Sequence, residues 1–186
     1  MFKPQSIPEV ILVTPKRFGD ERGYFSETFQ AARYAENGID VPFIQDNHSL
    51  SRPAGVLRGL HFQIPPRAQD KLVRCTRGKI LDVAVDIRVG SPSFGRHVAV
   101  ELTAENGEQL FVPKGFAHAF CTLTPDCEVQ YKTSDYYAPD CDKGLAFDDP
   151  ALELAWPSPA ADLILSEKDR KHPPLSELPA YFTYPG

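Results

Sequence analysis

The segment Lys79–Arg88, KILDVAVDIR, decides the fold. Leu81, Val83, Val85 and Ile87 recur at every second position, with Asp82, Ala84, Asp86 and Arg88 between them. A period of two is the mark of a strand, whose successive side chains point to opposite faces. Before it, Arg77-Gly78 predicts a tight turn back to a strand over Lys71–Arg74. After it, Gly95–Thr103 (GRHVAVELT) repeats the alternation with Val98, Val100 and Leu102 on one side. Glu105-Asn106-Gly107 is a hairpin signal, since Asn-Gly tolerates the positive φ that such turns require. Gln109–Val112 and Ala117–Leu123 follow, separated by Pro113-Lys114-Gly115, and Cys127–Ser134 (CEVQYKTS) is a further strand.

Upstream, residues 9–14 (EVILVT) read as a strand and Pro15–Gly23 as a loop or hairpin. Phe29–Glu36 (FQAARYAE) is the best helical candidate, closed by Asn37-Gly38. Phe43–Leu50 alternates so that Gln45 and Asn47 share a face. The tail from Pro150 looks irregular, with a short helix begun by Ser166-Glu-Lys-Asp169. Strands every 8–12 residues or so, broken by turn signals, point to an all-β sandwich or barrel. Asp82, Asp86, His97, Glu101, Gln130 and Lys132 all fall within strands. A dry two-sheet core would leave such residues costly or outward-facing, whereas a barrel can gather some around a ligand. A jelly-roll β-barrel with short accessory helices is therefore expected, as one domain over 1–186. No repeat or linker divides the chain.

With 186 residues the chain can bury a core without staples. A formal charge of −5 and a pI near 5.5 argue against nucleic-acid binding, though local cations can hold a phosphate-bearing small molecule. Cys75, Cys121, Cys127 and Cys141 show no CxxC spacing and read as reduced thiols of a cytoplasmic protein. The N-terminus has no leader pattern, and no apolar run is long enough to span a membrane.

The stretch 55–74, GVLRGLHFQIPPRAQDKLVR, concentrates candidate chemistry. A two-residue period puts Arg58, Leu60 and Phe62 on one side and Gly59, His61 and Gln63 on the other, a cation opposite an imidazole. Gly55 and Gly59 mark either a bulge or a close approach of backbone or ligand. A second motif, Pro113-Lys-Gly115-Phe-Ala-His118, resembles the PxGxxH motif of the cupin superfamily, where that histidine often binds a metal. The matching first motif needs an HxH pair, and here it reads His61-Phe62-Gln63. His61 and His118 supply two ligands where a catalytic metal wants at least three from the protein; His48, His97 and His172 remain as candidates for a third, but no metal is expected. Acid–base chemistry remains. His61 is the leading base, since imidazole changes charge near neutral pH. Lys71 offers a cation for developing negative charge, and Tyr131 a phenolic proton. Tyr136 and Tyr137 read as packing or stacking residues.

Together these residues resemble the dTDP-4-dehydrorhamnose 3,5-epimerase family, cofactor-free sugar-nucleotide epimerases of cupin fold. The resemblance runs from RGYFSETF (Arg22–Phe29) through QDNHSLS, GVLRGLHFQ, VPKGFAHAF, VQYKTSDYY and YYAPDCDKGLAFDDP to SEKD (Ser166–Asp169). It implies that His61 is the base, Asp169 the carboxylate orienting it, Lys71 the enolate stabiliser and Tyr131 the acid on the opposite face. Asp82 is implied as an acidic partner of Lys71 or His61. Arg22, Glu27, Gln45, Asn47, Arg58, His118 and Lys168 match nucleotide- and phosphate-contacting positions. Asp142 does too, with a shorter acid where many members have glutamate. The implied partners are a dTDP-4-keto-6-deoxyhexose substrate and a second copy of the chain, with no cofactor, nucleic acid or membrane.

Three alternatives stand beside this reading. A single-position epimerase would share the same base and acid. A catalytically silent sugar-nucleotide binder would share the fold, and a metal-dependent cupin would need more ligands.

Overall fold

The computed structural model describes residues 1–185. Its elements are β1 (Phe2–Pro4), β2 (Ile11–Val13), β3 (Arg17–Asp20), β4 (Gly23–Ser26), α1 (Ala31–Ala35), β5 (Gln45–Ser51) and β6 (Leu57–Gln63). There follow β7 (Lys71–Arg77), β8 (Lys79–Asp86), β9 (His97–Thr103), β10 (Gln109–Val112), β11 (Phe116–Thr122), β12 (Cys127–Thr133) and β13 (Asp142–Gly144). Short 3-10 turns break up the remainder, and one of them, Asp169–Lys171, takes the place of the helix expected from Ser166. Asp169 opens that turn with its N–H donated to Ser166 Oγ.

Two antiparallel sheets carry the fold. One has the order β1-β2-β10-β7-β12-β5 and the other β13-β6-β11-β8-β9, while β3 and β4 form a separate hairpin. The all-β jelly-roll reading holds, with the barrel flattened into two facing sheets whose hydrogen bonding is not continuous around the body. Two turns read as hairpins are instead corners. The chain leaves the first sheet at Arg77-Gly78 and returns from the second at Asn106-Gly107, so β7 does not pair with β8, nor β9 with β10. Gly78 has φ +78°, and a Cβ there would lie 2.7 Å from Cys127 Sγ. Turn chemistry marked the reversals, but pairing is decided by which sheet buries each strand.

Between the sheets, Val73, Cys75, Leu110 and Val129 of one meet Ile80, Ala84, Leu102 and Phe120 of the other. The Val83–Val85 stripe faces outward. It packs with Leu60, Phe62, Ala117 and Ala119 beneath the irregular tail, including Leu152, Trp156 and Phe182. Both faces of β8 are thus covered, and Asp82, on the face opposite the stripe, is fully buried inside. Helix α1 is a single short element whose Tyr34 packs over Ile11, Leu72 and Phe111 on the outside of the first sheet.

Candidate active site

Strand β6 does not keep the two-residue period. His61 stands opposite His118 of β11, but Arg58 stands opposite Phe120, so β6 carries one extra residue in this interval. The bulge falls at Gly59 and Leu60. Gly59 takes φ +129°, and a Cβ there would lie 2.6 Å from both Ala119 Cβ and the His118 carbonyl oxygen. Only glycine fits that approach. The extra residue turns Arg58 to the side that His61 occupies, correcting the expectation that they lie on opposite faces. Leu57, Leu60 and Phe62 are left to the buried outer side.

His61, Lys71 and Tyr131 are shared by the walls of two adjoining cavities of about 310 and 350 Å³. The first also takes in Arg58, His118, Lys168 and Asp169, and the second Gln45, Asn47 and Asp142. His61 and His118 come from one sheet, Lys71 and Tyr131 from the other, so the cavities open between the sheets. A larger cavity of about 560 Å³ lies beyond Tyr131 and includes Glu27 and Asn47, but not His61. The smaller pair is the better candidate, because the titratable groups converge there. Arg22 stands apart. It is exposed in the β3–β4 hairpin and paired with Asp20.

Asp169 Oδ1 lies 2.6 Å from His61 Nε2. Burial alone would raise the Asp169 carboxyl, but the imidazoles of His172 and His61 outweigh it and hold the acid far below the usual carboxylate range. Lys71 is buried, with Nζ donating to the His61 carbonyl oxygen at 3.2 Å. Burial pushes its ammonium down to about 8, against the opposing pull of Asp142 and Asp82. Burial also raises the Tyr131 phenol, with Arg58 opposing. Lys168 and Tyr137 both donate to Asp142 Oδ2, so the shorter acid still reaches two partners.

Asp82 departs from expectation. Its Oδ1 accepts from His118 Nε2 at 2.9 Å, and it bonds neither Lys71 nor His61. It acts on Lys71 only through its charge. Burial lowers the His118 imidazole despite that carboxylate.

Two side chains escaped the sequence reading, and a third, His172, enters it only as a spare histidine. Tyr137, taken for packing, bonds Asp142 on the cavity wall. Gln63, noted for not being histidine, donates to the Arg67 and Tyr136 carbonyls and accepts from the Ala138 N–H, pinning the loop beside the cavity. Its place one alternation from His61 was the available signal. His172 stands 3.6 Å from Asp169 Oδ1, three positions beyond it in sequence. Nothing local in KDRKHPP announced that approach.

Residues 4–177 match the family model described as dTDP-4-dehydrorhamnose 3,5-epimerase. The chain belongs to that family. A dTDP-4-dehydrorhamnose 3,5-epimerase from Sinorhizobium fredii is 53% identical over 183 residues, 98% of this chain and 93% of the relative. The enzyme of that name from Escherichia coli K12 is 50% identical over 92% of both. Among solved structures, dTDP-6-deoxy-D-glucose-3,5-epimerase from Legionella pneumophila, in complex with dTDP-4-keto-L-rhamnose, superposes with a TM-score of 0.95. That structure is 43% identical, and the match covers 100% of this chain and 99% of the other. This chain is therefore an epimerase of the isomerase class. Among the described residues, no helix is long and apolar enough to cross a membrane.

Proposed function

We propose that the chain inverts C3 and C5 of dTDP-4-dehydro-6-deoxy-D-glucose, giving dTDP-4-dehydro-L-rhamnose, with His61 as base and Tyr131 as acid. Both carbons flank the C4 ketone, so loss of a proton from either leaves an enolate on the same oxygen. One site then serves both positions. Substrate and product share an oxidation state, so the reaction needs no redox cofactor. The supporting observation is that His61 and Tyr131 wall the same cavities from opposite sheets. A sugar lying between them has the base on one face and the acid on the other, and reprotonation from the far face inverts the centre.

Asp169 accepts a hydrogen bond from the Nε2–H of His61, leaving the Nδ1 lone pair for the sugar C–H. Lys71 supplies positive charge for the enolate oxygen in a water-poor site, where charge acts strongly. Arg58, His118 and Lys168 serve the phosphates; Gln45, Asn47 and Asp142 serve the nucleotide.

Arg22 and Glu27 are assigned to the nucleotide site of a second copy, so the working unit is a homodimer. The β3–β4 hairpin supports this, since Phe18, Tyr24 and Phe25 on it are 54%, 62% and 70% exposed. Light scattering checks it, and a fully active monomer at micromolar concentration overturns it. The domain is taken as 1–186, Gly186 lying outside the described residues. Free thiols, three of them buried, fit a cytoplasmic location.

The test of the reaction is proton NMR of the 4-keto sugar nucleotide in deuterated water. Deuterium at both C3 and C5 is expected. Label at one carbon alone makes the chain a single-position epimerase, and no label makes it a silent binder.

A further inference from the structure

We propose that His61, Asp169 and His172 form a binding site for one zinc ion. The sequence suggested a metal first through His61 and His118, with His48, His97 and His172 as the remaining candidates, and the His61–His118 pair fails, since His118 Nε2 is engaged by Asp82. The fold assembles a different set. His61 Nε2, Asp169 Oδ1 and His172 Nε2 all lie within 4.8 Å of one another.

The independent pointer is His172. Its side chain is only 10% exposed, and its buried Nε2 stands 3.6 Å from Asp169 Oδ1, too far for a good hydrogen bond, with no other partner among the described residues. A buried ring nitrogen so loosely paired leaves part of its hydrogen-bonding capacity unused, which an ion between it and the carboxylate would take up. Gly144 makes room for it, because a Cβ at that position would lie 2.2 Å from Nε2. The His172 and His61 rings meet edge to face, centroids 5.6 Å apart, both aimed at the same carboxylate.

Zinc bonds of about 2.0–2.2 Å to nitrogen and oxygen span donors roughly 3–3.6 Å apart. The Asp169–His172 separation of 3.6 Å already fits, and the His61–Asp169 contact of 2.6 Å has only to open slightly. Two imidazoles and one carboxylate suit zinc better than magnesium or calcium, which prefer all-oxygen sites. A fourth position is left for water from the cavity that His61 and Asp169 line.

This site is inhibitory, a consequence that rests on the assignment of His61 as base. Zinc takes the Nε2 lone pair, and the one proton of neutral His61 moves from Nε2 to Nδ1. The lone pair that would accept the sugar proton is then gone.

The test uses the full chain with Cys141→Ser, removing the half-exposed thiol, which would otherwise bind zinc. Cobalt is titrated by visible absorption and then displaced with zinc. One equivalent per chain is expected, bound more than about 100-fold more weakly by His172→Asn. Histidine nitrogen NMR of the unsubstituted chain with zinc gives a readout even where that variant fails to fold. Shifts of His61 and His172 Nε2 support the site. No saturable binding, equal affinity in His172→Asn, or shifts confined to the exposed His48 beside Glu128 overturn it. Arrest of epimerisation by stoichiometric zinc supports both site and base. Binding through His172 with epimerisation unchanged supports the site and removes His61 from the role of base.

Discussion

Asp169 Oδ1 sits 2.6 Å from His61 Nε2, joining a 3-10 turn near the C-terminus to a strand 108 residues earlier. That contact fixes which imidazole nitrogen carries the proton and which faces the cavity. It also ties the irregular tail to the sheet, so the orientation of the proposed base depends on the tail packed over β6.

Replacing His61 with asparagine removes the base and keeps most of the side-chain volume. Turnover falls on the order of 10²–10⁴-fold, the usual worth of a positioned general base. Affinity for dTDP, read by calorimetry, stays within about threefold, because the cations proposed for the phosphates are other residues. Normal deuterium wash-in at both carbons in this variant would dismiss His61.

Tyr131→Phe separates the two faces. Abstraction by His61 continues, and the enolate recaptures a proton from the same imidazole, returning the starting configuration. Solvent exchange at one or both carbons therefore outlasts inversion. Equal loss of exchange and inversion would deny Tyr131 a distinct role as acid.

Lys71→Met sets activity against stability. The folded-state pKa is about 8 against 10.5 for the free side chain. Between those values the unfolded chain holds a proton that the folded chain has released, so stability rises with pH across that window. Below pH 8 the buried ammonium is a cost on the order of 3 kcal/mol. Methionine removes that cost and loses one hydrogen bond worth about 1 kcal/mol, for a net gain on the order of 2 kcal/mol at pH 7. Turnover drops roughly 10²-fold with loss of the enolate's cation. Urea melts at pH 7 and pH 9.5 check the sign, since the variant's advantage shrinks at the higher pH.

Gly59→Ala tests the bulge. The added methyl meets Ala119 Cβ and the His118 carbonyl at 2.6 Å, at a φ that side chains resist. A stability loss of about 3 kcal/mol is expected. Turnover falls as well, since Arg58 and His61 no longer share one wall. A thermal melt within a degree of the parent's would mean that the bulge tolerates a side chain.

By itself the sequence determined the longer strands, while β1 and β13, three residues each, are too short to show an alternation. Alternation over Lys79–Arg88 and Gly95–Thr103 is local, and so is the pairing of Gln45 with Asn47, whose side chains hydrogen-bond at 3.0 Å on one face of β5. The candidate base was legible because histidine, glutamine and lysine cluster within one short stretch. Family motifs brought in Asp169 by resemblance, with no local signal for its contact with His61.

The tertiary structure alone decided what depends on register and on distant partners. A two-residue period holds only while the ladder is regular, and the extra residue at Gly59 moved Arg58 to the wall that His61 occupies. Turn residues specify a reversal but not the strand paired beyond it, so two apparent hairpins became corners between sheets. Asp82 chose His118 because the buried carboxylate bonds the nearest donor that β11 presents. His172 reached Asp169 and His61 because the tail packs across β6 over Gly144, a placement set by burial of apolar side chains far from the histidine itself.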